Sequence, residues 1–337
     1  MKGRRLALLL LPGLLLAGCG GTPQSRETGG ALVVSVLGAE PARQGLRLYA
    51  AAERREGEGR QMSEGASPAQ AVERLGCQGD QVVSCAHGEH ILLSRQGAEL
   101  LPQLLSYAFQ DPQQSTETLL WVVRADSLAP VFAGEGDPAR RMDVLKAAAR
   151  DRQGFSPVTL RQAAGALAEG RPLLLPALSL RDGTLERTGG ALWKAGRFTG
   201  WLSEEEVLGA ALLLGQRVHW LEGPGDRAVS LRGAGCRLIP RWTGERLTGV
   251  EIRCRLEASR AGGWRTAEWD PAALERRTEE LLRGGWRALG RAGGEGLPAG
   301  RAGLSRPWRW EALSRQWREA FPRLELRIRA EIAAESD

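Results

Sequence analysis

Histidines and acidic side chains are the residues of this sequence that could do chemistry. The chain has three histidines, and two of them, His87 and His90, lie in the segment H-G-E-H. This segment lacks the H-E-x-x-H spacing that places two imidazoles on one face of a helix. It also precedes an expected strand, where residues three apart point to opposite faces, so we expect these two histidines not to share a metal. His219 stands alone in the sequence.

The other common catalytic patterns do not occur. The sequence contains no G-x-S-x-G elbow, no G-x-x-x-x-G-K-[ST] loop and no G-x-G-x-x-G that opens a helix. We therefore predict no catalytic residues, no metal and no cofactor.

A run of three acids in "GWLSEEEVLGA", residues 200–210, could supply metal ligands, a catalytic pair or the start of a helix. Ser203 and Glu206 form the capping-box pattern S-x-x-E, and Glu204 and Glu205 fall in the first turn, where carboxylates meet the positive end of the helix dipole. Gly215 is a suitable helix end. The pattern favours a capped helix.

The first residues predict the compartment. A basic start is followed by an apolar run from Leu6 to Ala17, which is shorter than the roughly 20 residues of a membrane span and typical of a signal peptide. It ends in Leu-Ala-Gly-Cys at Cys19, which resembles the lipobox of bacterial lipoproteins. This resemblance implies cleavage before Cys19 and attachment of acyl chains, palmitate among them, to that residue. The alternative is an ordinary secretory signal and a chance cysteine.

Removal of Lys2, Arg4 and Arg5 with the signal peptide lowers the net charge from +6 to +3. A charge this small gives no support for nucleic-acid binding. Residues 19–30 are rich in small and polar side chains and are expected to form a flexible tether.

Four cysteines remain on an expected extracellular chain, which permits two disulfides. None of the spacings is C-x-x-C, so zinc and redox motifs are not expected. Cys236 and Cys254 lie on either side of a turn at Thr243–Leu247 in a predicted hairpin. If this turn sets the register of the two strands, the two cysteines lie opposite each other. They are either a cross-strand disulfide or two buried thiols; Cys77 and Cys85 are the other possible pair.

Short strands that alternate with helices, several joined by hairpins, predict an α+β fold of two to three domains with mixed, mostly antiparallel sheets and packed helices. We expect residues 1–18 to be the signal peptide and residues 31–182 an N-terminal α+β region, which could divide into two subdomains. Residues 183–337 are expected to form a C-terminal α+β domain.

The order of these blocks resembles the Ger(x)C family of spore germination lipoproteins. The segments that carry the resemblance are "GGALWKAGRFTGWLSEEEVLGAALLLGQ" (189–216), "WEALSRQWREAFPRLELRIRAEI" (310–332), "VTLRQAAGALAEGRPLLLPALSL" (158–180), "MSEGASPAQAVERL" (62–75), and "EHILLS" (89–94) followed by "YAFQDPQQ" (107–114).

The resemblance implies a non-enzymatic C subunit of a nutrient germinant receptor, built of α+β domains. Such a subunit would be held by the acylated Cys19 at the outer face of the inner spore membrane and would assemble with the integral membrane subunits A and B. The resemblance does not imply that it binds the small-molecule germinant. Two alternatives stay open on the residues alone: a solute-binding lipoprotein of a transporter, and an envelope-anchored hydrolase.

Overall fold

Two β-sheets with helices packed against them form the described part of the chain. The structure is a computed structural model that describes residues 31–52, 59–77, 82–85, 87–111, 114–134, 137–151, 154–194, 196–223, 228–244, 246–260, 270–291 and 321–334. The signal peptide, the tether with Cys19 and the predicted helix over 310–321, apart from Phe321, lie outside these residues.

The first sheet has ten strands among the described residues. They are β1 (Ala31–Pro41), β2 (Leu46–Ala52), β3 (Arg60–Gly65), β4 (Val82–Ser84), β5 (His90–Leu93), β6 (Leu119–Val123), β8 (Val158–Thr159), β9 (Leu173–Arg181), β10 (Thr184–Lys194) and β11 (Arg197–Leu202). Their order in the sheet is β11-β10-β9-β6-β5-β1-β2-β3, with β4 beside β1 and β8 beside β6.

Helices cover both faces of this sheet. One face packs against α1 (Pro68–Cys77), α2 (Leu101–Gln110) and α5 (Leu160–Ala168), and the other against α3 (Ala129–Ala133) and α4 (Pro138–Asp151). The central strands β5 and β6 are apolar over almost their whole length, as expected for strands that are covered on both faces.

The second sheet has six strands among the described residues. They are β7 (Gly154–Phe155), β12 (Val218–Glu222), β13 (Val229–Gly233), β14 (Cys236–Thr243), β15 (Arg246–Arg260) and β16 (Glu325–Ala334). One edge of β15 pairs antiparallel with β14 and then with β13, and its other edge pairs parallel with β16.

Two helices, α6 (Glu204–Leu213) and α7 (Pro271–Arg291), pack on one face of the second sheet. The period of two predicted for β15 is confirmed: Val250, Ile252, Cys254 and Leu256 are buried, whereas Arg253, Arg255 and Glu257 are exposed on the opposite face. This sheet therefore has a helix-covered face and a charged outer face.

The predicted α+β class with mixed, mostly antiparallel sheets and packed helices is confirmed. The predicted domain boundary at residues 182 and 183 falls in the tight turn of the β9–β10 hairpin, where both residues have positive φ angles. Because β10 and β11 belong to the first sheet, we propose that the chain passes from one α+β unit to the other after Leu202.

Candidate functional site

The acidic run begins α6 as the sequence predicts. The Ser203 hydroxyl accepts a hydrogen bond from the Glu206 amide at 3.3 Å, and the Glu206 carboxylate accepts one from the Ser203 amide at 3.0 Å. The capping box is therefore complete. Gly215, with a φ of 76°, ends the helix by donating to the Leu212 carbonyl at 3.1 Å.

The same acids pair with arginines of α7. Glu205 accepts from Arg277 at 2.5 Å, and Glu206 accepts from Arg291 at 2.5 Å. Partial burial by itself would raise the pKa of Glu206, but the Ser203 amide and Arg291 hold that pKa below its usual value. Exposed pairs of this kind contribute about 0–1 kcal/mol each, so their main effect is to orient α7 against the start of α6.

Two glycines let the helices cross with their backbones in contact. A Cβ atom on Gly209 of α6 would lie 1.9 Å from the Leu281 carbonyl oxygen of α7, and one on Gly285 would lie 2.3 Å from the Ala210 amide nitrogen. No side chain larger than hydrogen fits at either position without separating the helices.

An open groove with a volume of about 520 Å³ lies between the two helices. Its charged lining consists of three glutamates and three arginines, namely Glu205, Glu206, Glu280, Arg277, Arg287 and Arg291. The opposite charges balance, and Glu205 and Glu206 are already paired with arginines across the groove. The Ser203 hydroxyl, which also lines the groove, is used to cap α6. The arrangement supports a helix–helix junction.

We expect Ser203→Ala to act through stability alone. Loss of an N-cap costs about 0.5–2 kcal/mol, which calorimetry or denaturant unfolding of the purified protein would detect. Thr159→Ala is the matched control, because Thr159 forms the same capping box at the start of α5. A Ser203→Ala variant that keeps its stability but loses its biological activity, while Thr159→Ala keeps its activity, would instead make this run a contact site.

The histidine segment forms a second cluster. His87 is exposed and His90 is buried, so the two do not share one environment. The Nε2 atom of His90 lies 3.5 Å from Asp143 on α4, and Glu89 pairs with Lys146 of the same helix at 2.8 Å. Glu89, His90 and Asp143 place one potential ligand atom each within 4.8 Å of one another.

The hydrogen bonding of His90 opposes metal binding there. The indole N–H of Trp121 donates to Nδ1 of His90 at 3.1 Å, so the single proton of the neutral imidazole lies on Nε2. Metal-bound histidines instead donate their second N–H to an acceptor. Burial is also the main reason that the pKa of His90 is lowered, which favours this neutral form. The cluster ties α4 to the sheet.

The remaining histidine, His219, is also buried, and its Nε2 atom lies 2.7 Å from the Ser230 hydroxyl on the neighbouring strand β13. Its position within the paired strands β12 and β13 is that of a core polar residue. None of the three histidines is thus placed beside a potential nucleophile in an open cleft of the described structure.

The predicted register of the cysteine hairpin is confirmed, since Cys236 pairs with Cys254 and Leu238 with Ile252. Both cysteines are thiols in this structure. A hydrogen bond to Cys254, and then burial, raise the pKa of Cys236 above its usual value. The disulfide itself stays a prediction.

The other possible pair involves two thiols in different settings. Cys77 is exposed at the end of α1, whereas Cys85 follows β4 and is partly buried. Burial, helped by the charge of Asp111, raises the pKa of Cys85 to about 11. The pairing of Cys77 with Cys85 stays a prediction too.

The acylation site Cys19 lies outside the described residues, so the structure does not test it. None of the helices in the described ranges is long and apolar enough to cross a bilayer.

Sequence reasoning missed the residues that join α6 to α7. Each of the four residues Gly209, Gly285, Arg277 and Arg291 lies 72 to 85 positions along the chain from the residue that it contacts, so no local pattern links the two. One signal was available: a glycine inside a helix costs about 1 kcal/mol relative to alanine, so Gly209 and Gly285 each called for a packing reason.

No family model matches the sequence, and no curated protein matches it significantly. Among solved structures, the fold is similar to that in the crystal structure of the GerBC protein. The similarity has a TM-score of 0.52, covers 89% of this chain and 97% of that chain, and accompanies 14% sequence identity. The chain therefore has a Ger(x)C-like fold.

Proposed function

We propose that this protein is a lipid-anchored, non-enzymatic subunit of a nutrient germinant receptor. The observation that carries the proposal is the similarity of fold to GerBC over nearly the whole of both chains. The lipobox-like sequence at Cys19 supports a membrane anchor, and the motifs in residues 189–216 support the same family independently of the fold.

In this proposal the protein acts in spore germination from the outer face of the inner spore membrane. It assembles there with the integral membrane subunits A and B and needs no cofactor. A lipid on Cys19 supplies the anchor, since two or more acyl chains hold a protein stably where a single chain is marginal.

The two alternatives lack a specific observation in their favour. A hydrolase would need a nucleophile beside a base in a cleft that substrate can reach. Ser230 lies beside His219, but both side chains are buried within the paired strands β12 and β13. His90 is buried against Trp121 and Asp143. A solute-binding protein would need a cleft between two lobes. Here a single apolar cluster joins residues of both sheets, including Leu192 and Leu202 of the first and Leu231 of the second.

Deletion of the gene in its own spore-forming host tests the receptor function. We expect spores of the deletion strain to lose germination with the nutrients sensed by this receptor and to keep germination with a trigger that bypasses nutrient receptors. Reintroduction of the gene should restore the response. Wild-type nutrient germination with every nutrient tested would contradict the proposal.

Cys19→Ala tests the anchor separately. We expect this variant to move from the membrane fraction to a soluble or unprocessed form, as measured by fractionation and by mass spectrometry of the N-terminal peptide. The variant Cys77→Ala is the control and should stay in the membrane fraction. Normal maturation and membrane association of Cys19→Ala would show that the lipobox interpretation is wrong.

A further inference from the structure

A row of three arginines crosses the outer face of the second sheet. Arg237 of β14 pairs in register with Arg253 of β15, and Arg253 pairs with Arg329 of β16. All three side chains are exposed and lie on the face opposite the helices α6 and α7. We call these residues the arginine row.

This arrangement works against the stability of the sheet. Like charges directly opposite each other on neighbouring strands are destabilising, and neighbouring strands are only about 4.8 Å apart. Arg253 forms an ion pair with Glu251 at 2.7 Å, and the charge of Glu331 acts on it as well. No ion pair joins Arg237, Arg329 or the adjacent exposed Arg255 to another residue within the described ranges.

The acids on the same face do not cancel the row. Glu325 is shared between Arg241 at 3.1 Å and Arg327 at 3.0 Å, at one end of the sheet. The outer face of β14, β15 and β16 carries six arginines and four glutamates. The arginines are Arg237, Arg241, Arg253, Arg255, Arg327 and Arg329, and the glutamates are Glu251, Glu257, Glu325 and Glu331. Glu251 and Glu331 lie beside the arginine row, and the face as a whole keeps an excess of two positive charges (6 − 4).

From this geometry we infer that the arginine row docks the protein onto the anionic surface of a lipid bilayer. A protein partner would call for buried aromatic or apolar anchors at the centre of the contact. The outward positions of this face are instead mainly charged, and the apolar Ile239 is only partly exposed. An exposed surface with a net positive charge and without such anchors matches anionic headgroups, whose attraction for arginine needs charge and proximity alone.

A lipid on Cys19 would hold the protein close to the bilayer. Residues 19–30 span at most roughly 40 Å when extended, so a lipid on Cys19 keeps the first strand within that distance of the bilayer. This inference rests on the lipid anchor of the proposed function. It adds an orientation in which the outer face of the second sheet meets the membrane and the α6–α7 side points away from it.

Vesicle binding of an unlipidated chain tests the inference without reference to germination. The protein would be the mature chain from residue 19 with Cys19→Ala, which leaves every described residue in place. We expect it to sediment with vesicles of equimolar phosphatidylglycerol and phosphatidylcholine, less with pure phosphatidylcholine, and less at high salt. Each arginine near an anionic surface raises the affinity for the membrane about fivefold. The triple variant Arg237→Gln/Arg253→Gln/Arg329→Gln should therefore bind anionic vesicles about 100-fold more weakly than the parent chain.

The variant Arg43→Gln/Arg95→Gln/Arg140→Gln is the matched control, because it removes the same charge from exposed positions of the first unit. It should bind like the parent chain. The triple variant in the arginine row should melt at the same or a higher temperature, since it relieves the like-charge contacts. Three results would each overturn the inference: no binding of the parent chain to anionic vesicles, equal binding by the row variant, or an equal loss of binding in the control. Loss of germination in the deletion strain would still support the receptor function.

Discussion

Gly209→Ala should destabilise the protein by about 3 kcal/mol and lower its melting temperature by on the order of 5–10 °C. The added methyl group would meet the Leu281 carbonyl oxygen at 1.9 Å, far inside contact distance. The atoms that this methyl group would meet are backbone atoms of Leu281 and Gly285 on a packed helix, so they cannot move aside as a flexible side chain would. The helices α6 and α7 must separate, and the apolar contacts beneath them are lost.

A control for this substitution lies on the partner helix, α7. Gly284 is next to Gly285 on α7, but a Cβ atom there meets no other atom within 4 Å. Gly284→Ala should therefore stabilise the protein by about 0.5–1 kcal/mol, through the better helix propensity of alanine. Thermal and denaturant unfolding of the two variants measure both effects. Equal stability of Gly209→Ala and the parent chain would contradict the close crossing of the helices.

The second large effect is expected from the cysteine pair in the β14–β15 hairpin. Opposed residues of antiparallel strands have Cα atoms about 4.5–5.5 Å apart, a separation that a disulfide can bridge. Exchange with a small-molecule disulfide would oxidise the two thiols of Cys236 and Cys254 to one S–S bond and release two small thiols. Closure of this loop would stabilise the protein by about 3 kcal/mol.

Reduction should therefore lower the melting temperature of protein isolated under oxidising conditions, and Cys254→Ala should remove this sensitivity. Cys85→Ala is the control for the other possible pair and should leave the Cys236–Cys254 linkage intact. Non-reducing peptide mapping identifies the bond directly. Two alkylatable thiols at Cys236 and Cys254 would show that the pair consists of thiols only, and the proposed receptor function would not depend on that result.

Features of the fold that arise within a short segment of the chain were predictable. The start of α6 was predictable because a capping box is completed within four residues, from Ser203 to Glu206. The register of the β14–β15 hairpin was predictable because a short turn and a strict period of two leave few ways to pair the strands. The α+β class followed from the same local patterns.

The sequence alone therefore determined the capped start of α6, the β10–β11 and β14–β15 hairpins and the buried face of β15, but it missed the β9–β10 hairpin. Only the tertiary structure decided that β15 pairs in parallel with β16, that Arg237, Arg253 and Arg329 form a row, and that Gly209 meets α7. Each of these contacts joins residues that are far apart in the chain. Their positions depend on how whole elements pack, and packing is set by the sum of many weak contacts that no short segment encodes.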